Sequence, residues 1–191
     1  MIQLRADQMA GPRPPIEPSH GCFIAGGAIR RWFAGKEELS DVDVFGPSEK
    51  HLKDFLASKK SELLFSTKNA DTYLIEGVNV QLIKYYHPTI EKLLAEFDFN
   101  VCQFGWSEDG IFATEDAVIG LLRGHLSVGK IQEGFEVDSL RRAFKYQSKG
   151  FQPCLGTIQK IANSFVEITA EEIAAQIEMS PKGGKRGVRF D

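Results

Sequence analysis

The sequence predicts an α+β protein in which strands and helices mix before residue 115 and helices follow it. In the first part, short apolar runs bounded by turn residues alternate with segments whose apolar residues recur every three or four positions. In the second part the helical spacing dominates. With 191 residues and 42% hydrophobic side chains, the chain has the length of about one domain and enough apolar surface to fold.

Charge and cysteine content exclude several classes of protein. The net charge of −3 argues against a chain that coats nucleic acid by bulk charge, and no apolar run approaches the ~18 residues of a membrane span. The first residues lack the pattern of a signal peptide, and three widely spaced cysteines do not indicate a disulfide scaffold. We therefore expect a cytoplasmic protein without a membrane partner.

A mixed core is predicted over residues 20–114, after a proline-rich stretch. Four prolines within residues 1–19 predict an irregular N-terminal arm. An apolar run at 22–25 predicts a strand, and the spacing over 28–33 predicts a short helix that ends near Gly35. Residues 42–45 then alternate in the manner of another strand.

The remainder of the core is predicted from caps and turns. Ser48 is placed to cap a helix that buries Leu52 and Phe55, and Pro88 opens a second helix. Segments 71–75 and 78–83 predict a hairpin. We also expect a strand over 97–104 that pairs with 110–113.

A helical region is predicted over residues 115–180. Its helices are expected at 116–124, 138–149, 154–167 and 170–179, the last with Thr169 and Glu172 as a capping box. Residues 181–191 are rich in glycine, lysine and arginine. We expect them to form a flexible basic tail whose charges could meet RNA phosphates.

Two short motifs in the core indicate chemistry. Gly26 and Gly27 stand where a strand gives way to a helix, so an anionic group can approach the backbone and meet the free N–H groups of the helix. Asp41 and Asp43 are two positions apart in a predicted strand, and their side chains therefore point to the same face. Ionising both is unfavourable without a cation, and Mg²⁺ takes carboxylate oxygens readily.

Each motif alone has an ordinary structural explanation. An Asp-x-Asp pair is most often a solvated strand edge, and a Gly-Gly pair is most often a turn. Here Gly27 and Asp41 are 14 positions apart with an apolar strand on each side, and this combination favours a phosphate and metal site. The chain lacks the lysine and hydroxyl residue of a P-loop after Gly26 and has no Gly-x-Gly-x-x-Gly.

The two motifs together resemble the DNA polymerase β-like nucleotidyltransferase superfamily. Residues 26–30 followed by Ser40, Asp41, Val42 and Asp43 are most similar to the branch of CCA-adding enzymes and bacterial poly(A) polymerases. Residues 135–143 and the pair at 150–151 are similar to the join between the catalytic head and the helical neck of that branch. The resemblance covers roughly residues 20–155.

The resemblance implies a small mixed sheet with helices on one side and a neck-like helical region after it. It also implies transfer of a nucleoside monophosphate from an NTP to an acceptor hydroxyl, with Mg²⁺ or Mn²⁺ as the cofactor. In that scheme Asp41 and Asp43 bind metal, and a glycine turn binds the triphosphate. The triphosphate contacts expected from the chain are Gly26, Gly27, Arg30 and Ser40. The acceptor is an RNA end, a protein hydroxyl or another nucleotide.

The chain departs from the superfamily pattern at the third carboxylate. The expected acidic position, on a later strand, holds Gln81. Asp98 is the substitute candidate as a catalytic and metal-binding residue; the alternative is an aspartate that caps a turn. Cations on a later helix are candidates for contact with triphosphate or for a solvated face: Arg141, Arg142 and Lys145. The alternative function is a non-catalytic module that binds a nucleotide or a partner on the same fold.

Overall fold

One mixed sheet of eight strands organises the first two thirds of the chain. The computed structural model describes residues 1–35 and 41–179. The predicted contact Ser40 and the predicted tail 181–191 lie outside the described residues. The elements up to residue 113 are β1 Ile2–Leu4, β2 Phe23–Ala25, α1 Gly27–Ala34, β3 Val42–Phe45, α2 Glu49–Ala57, β4 Ser61–Ser66, β5 Ala70–Ile75, β6 Val78–Ile83, α3 Ile90–Glu96, β7 Phe104–Ser107 and β8 Gly110–Ala113.

Helices predominate after residue 113, as predicted. The elements are α4 Glu115–Arg123, β9 His125–Leu126, α5 Glu136–Gln147, β10 Gln152–Pro153, α6 Leu155–Ser164 and α7 Ala170–Met179. The capping box before α7 is confirmed, because the Glu172 backbone donates to Thr169 Oγ1 at 3.2 Å and the Thr169 backbone donates to Glu172 Oε2 at 2.8 Å. The strands β9 and β10 form a separate parallel pair.

The sheet has the order β1-β8-β7-β2-β3-β6-β5-β4. The β3–β6 pair is parallel and the other neighbours are antiparallel. The register places one row of residues across five strands of the sheet. From β2 to β4, that row is Ala25, Asp43, Gln81, Thr72 and Phe65. Residues in one row share a face, and this row fixes the surroundings of Asp43.

Both faces of the sheet are covered near its centre. The expected helical layer on one face consists of α1 and α2, which bury Ile29 and Phe55 fully. On the opposite face α3 packs its Ile90 and Leu94 over β2 and β7. This close approach depends on Gly105, because a Cβ there would lie 2.8 Å from Ile90 Cδ1.

The helical region has its own apolar cluster, which continues into the segment before β7. Phe99, Val101, Leu126 and Tyr146 are buried together in it. Arg30 of α1 reaches this cluster: its Nη1 donates to the Val101 carbonyl at 3.3 Å, and its guanidinium lies 5.4 Å from the ring centre of Tyr146. The sheet and the helical region are therefore joined by direct packing.

Two sequence-based expectations differ from the structure. Residues 1–19 are not irregular throughout, because Ile2–Leu4 pairs with β8 as a strand. The predicted strand over 97–104 is wrong: Asn100–Cys102 forms a 3-10 turn, and β7 begins only at Phe104. The turn is stabilised by Asn100, whose amide donates to the Asp116 and His125 carbonyls at 3.2 and 3.3 Å. A continuous apolar run is equally compatible with a buried turn and a buried strand.

Candidate functional site

The glycine turn lies directly beside Asp43. Gly26 has a φ of +82°, a conformation that favours glycine, and its N–H donates to the Phe104 carbonyl at 2.8 Å. Gly27 is the first residue of α1. A Cβ on Gly26 would lie 3.9 Å from Asp43 Oδ2. The fold thus brings the predicted phosphate turn and the predicted metal ligand together.

Asp43 and Asp41 form a close pair of carboxylates at the start of β3. Asp43 is partly buried between Ala25 of β2 and Gln81 of β6, whereas Asp41 is exposed. Burial, together with the smaller effect of the neighbouring charge of Asp41, raises the pKa of Asp43 to about 6. Because burial and a neighbouring negative charge disfavour the ionised form of Asp43, this carboxylate has a strong tendency to bind a proton or a cation near neutral pH.

Gln81 lies next to the two aspartates, at the position where the superfamily pattern has a third carboxylate. It stands opposite Asp43 in the sheet register, and its Nε2 donates to Asp41 Oδ2 at 3.0 Å. An amide adds no negative charge, so it orients Asp41 without increasing the repulsion between the carboxylates.

Three cations act electrostatically on Asp43. Positive charges of Arg142, Lys145 and Arg31 each lower its pKa against the larger effect of burial. Two of them were expected from the sequence, and Arg31 was not. Arg31 lies one turn after Gly27, and a Cβ on Gly27 would be 3.2 Å from Arg31 Nη1. Its spacing of four from the glycine turn is the signal that could have identified it.

A cavity of about 410 Å³ lies between α5 and the segment after α3, within the range of small-molecule sites. Arg142 and Lys145 line it, together with the sequence candidates Asp98 and Arg141. Arg141 is also within 3.8 Å of Asp138. Arg142 and Lys145 therefore both line the cavity and act electrostatically on Asp43 of the acid pair.

Asp98 takes part in an ion pair rather than in the acid pair. Its Oδ1 lies 3.0 Å from Arg142 Nη1 and accepts a hydrogen bond from the Phe99 N–H at 3.0 Å. Burial raises the pKa of Asp98 although Arg142 opposes this. Within residues 1–35 and 41–179, no group of three or more His, Cys, Asp or Glu side chains could hold a metal ion. Asp98 therefore does not join Asp41 and Asp43 in a three-carboxylate cluster.

Arg30 is buried against the apolar cluster of the helical region. It is 5% exposed and is engaged by the Val101 carbonyl and the Tyr146 ring. This placement favours a structural role over the predicted contact with nucleotide.

The first two thirds of the chain identify its family. A family model described as "Gad2: Gabija anti-defense 2 family protein" matches residues 5–122, more than half of the chain. The chain belongs to the Gabija anti-defense 2 family. The matched residues include the glycine turn and Asp41, Asp43 and Gln81. No curated protein matches the chain in sequence.

Solved structures show that this family member has a nucleotidyltransferase fold. The Thermotoga maritima CCA-adding enzyme, complexed with tRNA, is similar with a TM-score of 0.58 and 17% identity over 82% of this chain and 42% of that chain. For the Bacillus stearothermophilus CCA-adding enzyme in complex with CTP, the TM-score is 0.52 and the identity is 17%, over 82% of this chain and 43% of that chain. A tRNA nucleotidyltransferase complexed with a primer tRNA and an incoming ATP analog is similar with a TM-score of 0.57 and 14% identity, over 82% of this chain and 52% of that chain.

The likeness to these enzymes is a likeness of fold. The chain spans about half or less of the length of each. Within residues 1–35 and 41–179, none of the helices combines the length and the apolar character that crossing a bilayer requires.

Proposed function

We propose that the protein is a metal-dependent nucleotidyltransferase that moves a nucleoside monophosphate from an NTP to an acceptor hydroxyl. The observation that carries the proposal is the contact between the glycine turn and the acid pair: the position of a Gly26 Cβ lies 3.9 Å from Asp43 Oδ2. A phosphate bound at the N-terminus of α1 would therefore lie beside two carboxylates. The fold shared with CCA-adding enzymes supports the same assignment.

The donor set fits Mg²⁺ or Mn²⁺ that is shared with a substrate. Two carboxylates, one exposed and one with a pKa raised to about 6, provide oxygen ligands whose repulsion a cation would relieve. Mg²⁺ commonly binds through one or two carboxylates together with substrate phosphates. Asp41 and Asp43 would hold it, and when bound it would neutralise charge on the phosphate oxygens.

The remaining residues bind and orient. Gly26 and Gly27 leave room for the triphosphate, and Ser40 is a further candidate contact that lies outside the described residues. Arg31, Arg142 and Lys145 supply positive charge that acts on Asp43. The cavity beside α5 is large enough for a nucleoside, with Asp98 and Arg141 in its wall.

A transfer assay tests the proposal. The protein is incubated with each NTP labelled on the α-phosphate, Mg²⁺ and, in separate reactions, total RNA, total protein or free nucleotides. Label on one acceptor class is expected, and Asp41→Ala should reduce it by roughly 100-fold or more because the pair loses half of its charge. Asp109→Ala removes an equally exposed carboxylate elsewhere and is the matched control. Undiminished transfer by Asp41→Ala would contradict the assignment.

A non-catalytic nucleotide-binding module is the second candidate, and Gln81 is the observation that favours it. Its amide cannot accept a proton from an acceptor hydroxyl, and Asp98 is engaged by Arg142 instead. Calorimetry separates the two functions, since NTP binding that depends on Asp41 without any labelled product indicates the module. The family name ties either function to counteraction of Gabija. In cells that carry Gabija, the ability of Asp41→Ala and of Asp109→Ala to counteract Gabija can be compared with that of the parent protein.

A further inference from the structure

The strand β4 is an edge of the sheet with an unusual surface. It is the last strand in the order, and no strand among the described residues pairs with its outer side. All six of its residues are exposed, including Leu63, Leu64 and Phe65 at 54%, 45% and 55%. Natural sheets usually protect an edge by keeping it short, by placing charges along it or by a β-bulge, and β4 has one such irregularity, between Leu63 and Phe65 in its pairing with β5, with apolar side chains on either side of it. The other edge, β1, has only three residues.

The charges around this edge lie at its two ends. Lys59 and Lys60 precede the strand and Lys68 follows it, against the single Glu62 within it. Lys59 lies over the ring of Phe55 at 5.7 Å, whereas Lys60 and Lys68 are exposed. The protein has a net charge of −3, but this segment is locally basic.

The charge pattern distinguishes between possible occupants of the edge. Two copies of β4, paired antiparallel in full overlap of Ser61–Ser66, would bring Lys59 and Lys60 of one copy to the same end as Lys68 of the other. Like charges brought together at both ends of a strand pair are destabilising. A strand with acidic ends and an apolar centre instead meets lysines at both ends and Leu63, Leu64 and Phe65 between them.

We propose that β4 is a docking edge for an extended segment of another protein, with apolar side chains at its centre and acidic side chains at both ends. The segment would add to the sheet as a ninth strand. Backbone hydrogen bonds would supply affinity, and the lysines and apolar side chains would supply selectivity. This docking does not depend on transfer activity.

Defined peptides test the docking surface. The probe is a labelled nine-residue peptide with alternating threonine and valine in the centre and two glutamates at each end. We expect binding by fluorescence polarisation, at least ~10-fold weaker binding of the same peptide with lysine ends, and loss of binding when alternate backbone amides are methylated. Equal binding of the two peptides, or no binding of the glutamate-ended one, would overturn the proposal.

Variants assign the binding to β4. Leu63→Lys and Phe65→Lys should each weaken binding at least ~10-fold. Leu122→Lys, at a side chain that is 73% exposed on α4, should leave it unchanged. The double reversal Lys60→Glu with Lys68→Glu should exchange the preference, so that the lysine-ended peptide binds more tightly. All these positions are exposed, and circular dichroism checks that each variant remains folded.

Analytical ultracentrifugation tests whether a second copy of the chain occupies the β4 edge. A monomer at tens of micromolar is expected. A dimer that Leu63→Lys dissociates would show that a second copy covers the edge, and would overturn the assignment to another protein.

Discussion

The protonation state of Asp43 links the pH of the solution to the stability of the fold. Its pKa is about 6 in the folded protein, against 3.8 for an ordinary aspartate, chiefly because the side chain is buried. Between these values the native state binds more protons than the unfolded chain. The free energy of unfolding therefore falls as the pH rises from about 4 to about 6, and the penalty is complete above the folded pKa.

Asp43→Asn should remove this penalty. We expect the variant to be more stable than the parent by up to about 3 kcal/mol at pH 7 and equally stable below about pH 3, where the parent carboxyl is protonated in both states. Denaturant unfolding at a series of pH values measures the difference. Asp109→Asn should show no such pH dependence, and a constant difference for Asp43→Asn across the series would contradict the prediction.

Gln81 offers a way to measure the contribution of the missing third charge. Gln81→Glu replaces the amide that donates to Asp41 with a carboxylate in the same row as Asp43. We expect the variant to bind Mn²⁺ at least ~10-fold more tightly and to lose about 1 kcal/mol of stability at pH 7 without metal, since three charges repel more than two. Calorimetry and chemical unfolding check the two effects.

The matched control for this substitution is Asn79→Asp. Asn79 lies two residues earlier on β6 and points to the same face. It should gain neither metal affinity nor the same loss of stability. Equal Mn²⁺ affinity in the two variants would show that the row through Asp43 is not the binding site.

At the scale of elements, α4 is held close to its neighbours by one glycine. A Cβ on Gly120 would lie 2.1 Å from Asn100 Nδ2 and 2.8 Å from the His125 carbonyl oxygen. Gly120→Ala should therefore force apart α4, the 3-10 turn and β9, and we expect a loss of about 2–4 kcal/mol in thermal or denaturant unfolding.

Gly156 provides the control within the same fold. It is an exposed helical glycine in α6, and a Cβ there would lie at an ordinary van der Waals distance of 3.8 Å from Cys154 Sγ. Gly156→Ala should be neutral or stabilising by up to ~1 kcal/mol, as expected for alanine in a helix. An equal change in the free energy of unfolding for Gly120→Ala and Gly156→Ala would contradict the prediction, because the crowding at Gly120 would then be relieved without cost.

Elements with local signals were predictable from the sequence. The hairpin β5–β6 and the capping box at Thr169 each depend on turn or cap residues within a few positions. The helix after Ser48 forms as predicted, but without the expected side-chain cap, because Ser48 Oγ pairs with His51 Nδ1 at 2.8 Å instead of accepting from the helix backbone. The segment 97–104 has no such signal. Its conformation depends on contacts of Asn100 with residues 16 and 25 positions away.

The same distinction holds for the molecule as a whole and its candidate site. Gly26, Asp41 and Asp43 could be found because two short motifs lie on consecutive elements. The cations of α5 were candidates only for a contact with triphosphate or a solvated face, and their action on Asp43 and the pairing of Asp98 with Arg142 could not be foreseen, because these interactions join positions more than 40 residues apart. A pattern along the chain does not specify which distant helix supplies positive charge.

The pairing of β1 with β8 also sets an order of events during synthesis. Ile2 and Leu4 pair with Ala113 and Ile111, more than 100 residues later. At roughly 5–20 residues per second on the ribosome, about 5–20 s pass before the partner strand exists. The first strand of the chain is therefore among the last to join the sheet, and slow translation before residue 110 would prolong the exposure of its apolar side chains to other nascent chains.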